Sequence, residues 1–253
     1  MSVIALASML ATQSVVTLTF QPKVGSSYKQ STSIAQTSQM GNSTTSMVTT
    51  TKVLAFENGF FKLESTPSNI TMTGGMGKND EVKKAMSKPT IVYMDKHFKP
   101  KMAANTSAGM QQMMGGMNNA MAGITFPTKP VKIGETWTSS LDMGQMMGAA
   151  AKGQSGAAGL KSTGKLTTTY KLLKVDGSTF TIGITMGGTV NMNMAGGKGG
   201  AQGMKMAMNM SGGGTSTMER NTGIPVSSTM KTTMQMSGMQ AFSMSMTMNS
   251  KRI

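Results

Sequence analysis

The stretch Phe126-Pro127-Thr128-Lys129-Pro130-Val131-Lys132-Ile133-Gly134-Glu135-Thr136-Trp137 lies near the middle of the chain of 253 residues and contains its only tryptophan. Its prolines fix their φ angles, so the chain enters Gly-Glu-Thr-Trp in an extended form and the indole reaches a defined place. We interpret Trp137 as a plug that closes one end of a β-sheet; a wall that faces a ligand is the alternative. On either side lies a half of similar texture, in which alternating Thr/Ser and apolar residues precede a Met- and Gly-rich segment.

Alternation of apolar and hydroxyl side chains predicts β-strands along most of the chain. This period of two, which buries one face of a strand, runs through residues 16–20, 28–40, 46–56, 60–72, 180–194, 203–218 and 226–248, and the last of these is expected to be broken into a hairpin near Gly238. Short strands are expected at 90–93 and 97–102, and a turn at 41–43. Asn58-Gly59 favours the type I′ turn of a hairpin, because Asn and Gly adopt positive φ angles. A short helix is expected at 80–86, before Pro89.

A different spacing, typical of an α-helix, occurs at 108–123. Its methionines fall at i, i+3, i+4, i+7 and i+11, which places five thioethers on one helical face: Met110, Met113, Met114, Met117 and Met121. Gly115 and Gly116 each weaken such a helix by about 1 kcal/mol relative to Ala, so it must depend on packing. We expect the stripe to face the concave side of the sheet, where it completes the core or gates an apolar pocket. Residues 143–159 are expected to form a loop.

Methionine, at 32 residues, is the strongest compositional signal, and in predicted strands it recurs with a period of two. One interpretation is that Met fills core positions in place of Leu. A second is a deformable cavity for apolar ligands such as acyl chains, because the flexible thioether adapts to varied shapes. A third is Cu(I) binding by Met-x-Met clusters. Successive same-face residues lie about 6.8 Å apart along a strand, too far for two sulfurs to share an ion without a neighbouring strand, so copper is the least favoured interpretation.

The chain is strongly basic, with a net charge of +15, and 22 of its 24 basic residues are Lys. Proteins that read nucleic acids favour Arg and aromatic residues, and aromatic residues make up only 5% of this chain. The charge therefore predicts a solvated surface and no nucleic-acid partner. Adhesion to an anionic envelope polymer or to lipid headgroups is the alternative.

Residue types that support catalysis are few. Cysteine is absent, which excludes a Cys nucleophile, a thiolate metal site and a disulfide. The single histidine, His97, lies two residues from Asp95, and a turn is expected between them. The sequence Gly153-Gln154-Ser155-Gly156-Ala157 lacks the strand-turn-helix setting of a nucleophile elbow. We expect no catalytic site, no cofactor and no metal site of His, Cys and carboxylates, so the protein is predicted not to be an enzyme.

An apolar run at residues 3–11 resembles the central region of a secretory signal and is too short to span a bilayer. Together with the absence of cysteine, it predicts export, with residues 1–11 as a signal-type segment and 12–253 as one β domain. No later segment has 18 uninterrupted apolar residues, so no transmembrane segment is expected. We expect a bacterial protein that is periplasmic or secreted.

Two pairs of segments repeat at similar offsets. Residues 171–182 lie over 52–63 at an offset of 119, and both segments have the pattern strand, turn, strand. Residues 218–225 resemble 94–100 at an offset of 124, and one insertion of five residues reconciles the two offsets. One interpretation is an internal duplication, with similar halves at about 15–125 and 126–250.

The order of Gly25-x-x-Tyr28, a strand pair, the central Gly-Glu-Thr-Trp and a second half with an Asp-Gly turn resembles a family of uncharacterised bacterial envelope proteins with a Val-Gly-x-x-Trp core motif. The resemblance implies a curved antiparallel sheet wrapped around a helix, similar to periplasmic lipoprotein carriers, and no established activity. We expect a mainly β fold, in which a large, half-barrel-like antiparallel sheet wraps one short Met-rich helix. The expected role is non-enzymatic: binding of an apolar ligand such as a lipid acyl chain in a Met-lined cavity, or a structural envelope role without a small ligand.

Overall fold

The computed structural model describes residues 15–39, 41–74, 80–101, 124–142, 160–194, 204–238 and 241–253. Within them the chain forms ten β-strands and one short helix, α1 (Asp80–Met86). The strands are β1 (Ser27–Ser38), β2 (Gly41–Glu57), β3 (Phe60–Gly74), β4 (Thr90–Asp95), β5 (Thr136–Asp142), β6 (Leu160–Asp176), β7 (Thr179–Met194), β8 (Met204–Glu219), β9 (Pro225–Ser237) and β10 (Phe242–Arg252). The predicted mainly β fold is confirmed.

All ten strands belong to one antiparallel sheet in the order β4-β3-β2-β1-β10-β9-β8-β7-β6-β5. The first and last strands pair near its middle, with Gln30 opposite Arg252 and Ser38 opposite Met244. The sheet is open: β4 and β5 are its edges, and no ladder joins them in the described part of the chain. The large antiparallel sheet of the sequence prediction is therefore confirmed.

The main core lies on the inner face of the sheet. It joins buried apolar side chains of β2, β3 and β4 with those of β6 to β10, so the sheet must curve around it. Two segments outside the strands, 16–20 and 124–131, complete this core. Phe20 and Phe126 are at most 2% exposed, and Phe20 packs edge-on against Phe98 with ring centroids 4.7 Å apart.

Segment 16–20 also links the two edges of the sheet. The N–H of Val16 donates to the carbonyl oxygen of Val131 near β5, and the N–H of Phe20 donates to that of Lys96 after β4, both at 2.8 Å. The predicted alternation is correct, because every second residue from Val16 to Phe20 is buried. The predicted strand is not formed. Within this segment only Val16 makes a β-bridge, and the N–H of Phe20 donates to Lys96 in the turn after β4 instead of to a neighbouring strand.

Helix α1 confirms the prediction for 80–86, and none of its residues is buried, so it lies on the surface. The turn expected at 41–43 is displaced. Gly41 is already the first residue of β2 and pairs with Ser38, so the connection between β1 and β2 is tighter than the sequence suggested.

The strand predicted at 97–102 was wrong for its described residues. The Asp95 carboxylate accepts hydrogen bonds from the backbone N–H of His97 at 2.9 Å and of Lys99 at 2.8 Å. These two bonds fold the chain into a turn, in which Phe98 adopts a positive φ of 61°. Local side-chain bonding by Asp thus overrides the apolar alternation.

Similar contacts recur in the two predicted halves, although the two glycines involved are 109 positions apart and their partners 119. The N–H of Gly25 donates to Val53 at 2.8 Å, and the N–H of Gly134 donates to Leu172 at 2.7 Å. Both glycines have positive φ angles, 83° and 91°. The β2–β3 ladder shifts register after Val53, and the β6–β7 ladder shifts after Leu172. These matched contacts support the predicted duplication, which stays a prediction.

Candidate functional site: a methionine-lined face of the sheet

The sequence predicted a binding site from five helical methionines and from Trp137. Met110, Met113, Met114, Met117 and Met121 lie outside the described residues, so their role stays a prediction. Trp137 lies on β5, directly opposite Tyr170 of β6. Tyr170 is 1% exposed and belongs to the main core, so both side chains are on the inner face.

Trp137 is half-buried and packs against the main core. Its indole stacks on the ring of Tyr170, with centroids 5.5 Å apart and planes at 23°. The indole Nε1–H donates to the backbone oxygen of Thr125. Burial raises the pKa of Tyr170 above its ordinary value. The only polar atom of the indole is thus used within the protein, as a plug requires, and a role of Trp137 in ligand binding stays a prediction.

A second apolar cluster, which we name the methionine cluster, lies on the inner face beyond the main core. Its buried residues are Val190, Met192 and Met208. Five half-buried residues pack against them: Leu166, Met206, Met210, Met234 and Met236. The cluster therefore joins side chains of β6, β7, β8 and β9, and six of its eight members are methionine.

The methionine cluster forms because Met repeats with a period of two along β8, β9 and β10, which puts each series on one face. Antiparallel pairing sets Met208 opposite Met236 and Met210 opposite Met234. Met234 is also opposite Met244 of β10. Directly opposed residues have Cβ atoms about 4.5–5.5 Å apart, so thioethers of neighbouring strands lie within contact range. The Met-x-Met spacing predicted the shared face, and the strand register then brings the series together.

Gly188 occupies the inward position between Met186 of the main core and Val190 of the cluster, where the backbone of Lys165 approaches too closely for a side chain. Exposure to solvent distinguishes the methionine cluster from the main core. Five of the eight members of the cluster are half-buried, whereas only four half-buried residues pack against the 22 buried residues of the main core. The cluster thus leaves apolar surface partly in contact with water.

The inward positions of β7 to β10 around the cluster are uncharged. They hold Met, Val, Ile, Gly, Ser and Thr between Phe180 and Met192 of β7, between Met206 and Met218 of β8, and between Ser228 and Met236 of β9. At these described positions a charged ligand group would therefore find no ionic partner. The arrangement suits an apolar or a soft, polarizable ligand.

A shallow depression of about 440 Å³ lies at the ends of β7, β8 and β9. It is lined by Asn191, Asn193, Lys205, Met206, Ala207, Ser237 and Gly238. Met206 is its only methionine, so the depression is not the Met-lined cavity that the sequence predicted. In the described residues the methionine cluster is better described as an open apolar surface.

The outer face of the sheet has the opposite chemistry. Outward positions from β6 through β10 and β1 to β2 hold mainly Thr, Ser, Asn, Gln and Gly. Away from the strand ends, no Asp or Glu occupies an outward position of these seven strands in the residues that the structure describes. Exposed lysines do: Lys29, Lys52, Lys165, Lys171, Lys205, Lys231 and Lys251.

Polar contacts of the Glu219 carboxylate link the β8–β9 turn to β10, at the end of the sheet near the main core. Arg252 Nη1 lies 3.1 Å from Glu219 Oε2, and the Thr222 hydroxyl donates to the same oxygen at 2.7 Å. The hydrogen bond from Thr222, followed by Arg252, lowers the pKa of the Glu219 carboxyl. These contacts hold the last strand against the β8–β9 turn, so their role is structural.

Groups that could support acid–base chemistry do not converge in the described residues. Asp95 uses its carboxylate on backbone N–H groups, and the buried Nδ1 of His97 has no hydrogen-bond partner. Within the described ranges no three His, Cys, Asp or Glu residues are grouped so as to hold a metal ion. That the protein is not an enzyme stays a prediction.

Residues 80–225 match a protein family described as "Family of unknown function (DUF6263)". The match covers more than half of the chain and includes β4 to β8 with most of the methionine cluster. No curated protein matches the sequence. Among the described residues, none of the helical structure is both long and apolar enough for a membrane span.

Proposed function

We propose that this chain, which belongs to the DUF6263 family, is a non-enzymatic exported protein of the bacterial envelope that binds an apolar ligand, such as a lipid acyl chain, on its methionine cluster. The observation that carries the proposal is the half-buried state of Met206, Met210, Met234 and Met236 above a buried apolar floor. A ligand that covers such surface gains about 25 cal/mol for each Å² of apolar area removed from water.

The shape of the cluster favours an elongated ligand. Strands are about 4.8 Å apart, so a row of inward side chains from β7 to β10 is about 14 Å long. One such row contains Met210, Met234 and Met244. Methionine side chains repack easily, which allows acyl chains of different length and saturation to bind without a fixed pocket.

Titration with a fluorescent fatty acid tests the proposal. We expect the folded wild type to bind it saturably with micromolar affinity. Replacing Met210 and Met234 by Lys should abolish binding, because two charges would enter the apolar surface. The matched control replaces Ser211 and Thr233 by Lys, the next opposed pair on the same two strands, which faces outward. The control should bind the probe as the wild type does.

Two results would contradict the proposal. One is a folded wild type that binds no fatty acid. The other is equal binding by the inward and the outward lysine variants, which would place any apolar ligand elsewhere. Circular dichroism must first show that each variant keeps its β structure.

The predicted Met-rich helix enters the proposal as the cover of the bound ligand. Replacing Met113 and Met117 by Lys should then weaken fatty-acid binding or open the domain, because both side chains are expected on the face that meets the apolar surface. Unchanged binding and unchanged stability in this variant would remove the helix from the proposal and leave the sheet face alone.

Export is the second part of the proposal and has its own test. Mature protein isolated from its source should begin after residue 11 and fractionate outside the cytoplasm. An intact Met1 in the cytosolic fraction would refute it. This outcome is independent of fatty-acid binding.

The outer face favours a second role, adhesion to an anionic envelope polymer. On the described residues of β6 to β10, β1 and β2, the exposed lysines lie among hydroxyl side chains, and carboxylates occur only near the strand ends. This composition matches a polymer that carries both anionic and hydroxyl groups. We expect sedimentation with an acidic polysaccharide but not with a neutral one, and loss of binding at high salt. Replacing Lys29, Lys231 and Lys251 by Glu should abolish sedimentation. Equal sedimentation with both polymers would contradict this role.

A further inference from the structure

The spacing of same-face methionines along one strand argues against metal binding, but methionines of the paired strands β8 and β9 lie closer together. Along one strand, same-face methionines are about 6.8 Å apart. Across the ladder, Met208 is opposite Met236 and Met210 is opposite Met234, with Cβ atoms about 4.5–5.5 Å apart. The Cβ atoms of these four methionines therefore lie at the corners of a rectangle of about 5 by 7 Å.

Thioether sulfurs can converge from this arrangement without any movement of the backbone. A zinc–thiolate bond is about 2.3 Å long, and with a metal–thioether bond of similar length, sulfurs that share one ion lie about 4 Å from each other. Each Met has three rotatable bonds beyond the backbone. Rotation of three or four side chains is enough to close the rectangle around one ion.

The chemistry of the site selects a soft monovalent ion. Thioethers favour Cu(I), whereas Mg²⁺ and Ca²⁺ need oxygen ligands and Zn²⁺ prefers imidazole or thiolate. The inward positions around the four methionines offer no carboxylate or imidazole. Met210, Met234 and Met236 are half-buried, so an ion can reach the sulfurs from solvent. Met208 is 8% exposed and forms the floor.

We propose that Met208, Met210, Met234 and Met236 form a thioether site for Cu(I). This is a second use of the methionine cluster, and it does not rest on the binding of an apolar ligand. The ion arrives and leaves as Cu(I), so neither the metal nor the protein changes its oxidation state.

Competition with a coloured Cu(I)–bicinchoninate complex under anaerobic conditions tests the site. The folded wild type should withdraw one Cu(I) per chain. Replacing all four methionines by Leu should weaken binding at least 100-fold, because Leu keeps the apolar volume and removes the sulfur. The matched control changes four methionines outside the cluster to Leu: Met47, Met72, Met86 and Met94. It should bind Cu(I) within threefold of the wild type.

A folded wild type that leaves the coloured complex intact contradicts the proposal. So does a cluster variant that binds Cu(I) as tightly as the control. If the fourfold variant fails to fold, Met210→Leu with Met234→Leu is the replacement, with a loss of at least tenfold expected and an unchanged affinity as the contradicting result.

Fatty-acid binding by the same variants separates this proposal from the proposed function. The Leu variant keeps the apolar surface, so it should lose Cu(I) and retain the fluorescent fatty acid. If the wild type binds Cu(I) but not the fatty acid, only the proposal of an apolar ligand is contradicted. If it binds the fatty acid but not Cu(I), only the proposal of a metal site is contradicted.

Discussion

Trp137 and Tyr170 stack across β5 and β6 with their ring planes at 23°, while the Nε1–H of Trp137 donates to the backbone oxygen of Thr125. Thr125 lies directly before the buried Phe126, which begins the central stretch that Trp137 ends. One hydrogen bond therefore joins the last residue of this stretch to the residue directly before its first. The indole fixes the stretch against the edge strand and against the main core at the same time.

The stack predicts a stabilising role for the indole. Replacing Trp137 by Ala should lower the free energy of unfolding by about 2 kcal/mol, because it removes a half-buried ring and leaves Thr125 without its donor. Urea unfolding followed by circular dichroism measures this. The outward neighbour Thr138→Ala should change the free energy by less than about 0.5 kcal/mol. Unchanged stability in Trp137→Ala would favour the ligand-facing wall instead of the plug.

Two adjacent glycines of β7 give a matched test of how closely the strands approach. A Cβ atom on Gly188 would collide with the backbone oxygen of Lys165, whereas one on Gly187 would meet only Met210 O at 3.8 Å. Gly188→Ala should therefore lower the free energy of unfolding by about 2 kcal/mol or more. Gly187→Ala should stay within about 0.5 kcal/mol of the wild type. Equal melting temperatures of the two variants would contradict the close approach.

Strand β7 illustrates what the sequence predicts well. The alternation predicted 180–194, and the strand runs from Thr179 to Met194 with its even-numbered residues from Phe180 to Met192 inward. Such local periodicity needs no knowledge of the rest of the chain. The order of strands is different, because β1 pairs with β10 at the far end of the chain. That choice depends on long-range packing of inner faces, which no local pattern contains.

The candidate site was predictable to the same extent. Met-x-Met repeats indicated that Met208 and Met210 share a face, and so do Met234 and Met236. Their meeting depends on the register of β8 against β9, which a shift between Thr217 and Met218 adjusts. A shift by one residue would have turned one series away from the other. The donors of the site were therefore predictable from the sequence, and their convergence was not.

Glu219 provides a prediction at acid pH. The Thr222 hydroxyl, followed by Arg252, lowers the pKa of Glu219 from its ordinary value of 4.5. The folded pKa is below the unfolded one, so the charged carboxylate stabilises the fold above about pH 4.5 and the gain is lost as the pH falls through the folded pKa. Thr222→Val should lower the free energy of unfolding at pH 7 by about 0.5–1 kcal/mol, a small value because both charged side chains are about one third exposed.

The pH dependence is the sharper part of this prediction. The difference between Thr222→Val and the wild type should shrink towards pH 2, leaving only the part due to the bond from Ile224 N–H to the Thr222 hydroxyl. Urea unfolding at several pH values measures it. The exposed outward control Thr215→Val should show no such trend. A difference that is constant with pH would mean that Thr222 does not act through the carboxylate.

Tyr28 provides the corresponding prediction at alkaline pH. Burial of its hydroxyl beside Thr51 raises its pKa from 10.0 to about 12, against the opposing effect of the Thr51 hydrogen bond. Because the folded pKa is above the unfolded one, the neutral phenol contributes its full stability below pH 10 and loses it as the pH rises towards 12. The wild type should therefore lose about 2 kcal/mol of unfolding free energy over this range through Tyr28 alone.

Tyr28→Phe removes the ionisable group and should flatten the dependence of the unfolding free energy on pH, whereas the outward neighbour Thr50→Ala should keep the wild-type slope. Phenolate absorbance that develops in step with unfolding, and not before it, would confirm the cause, and an unchanged slope in Tyr28→Phe would exclude it.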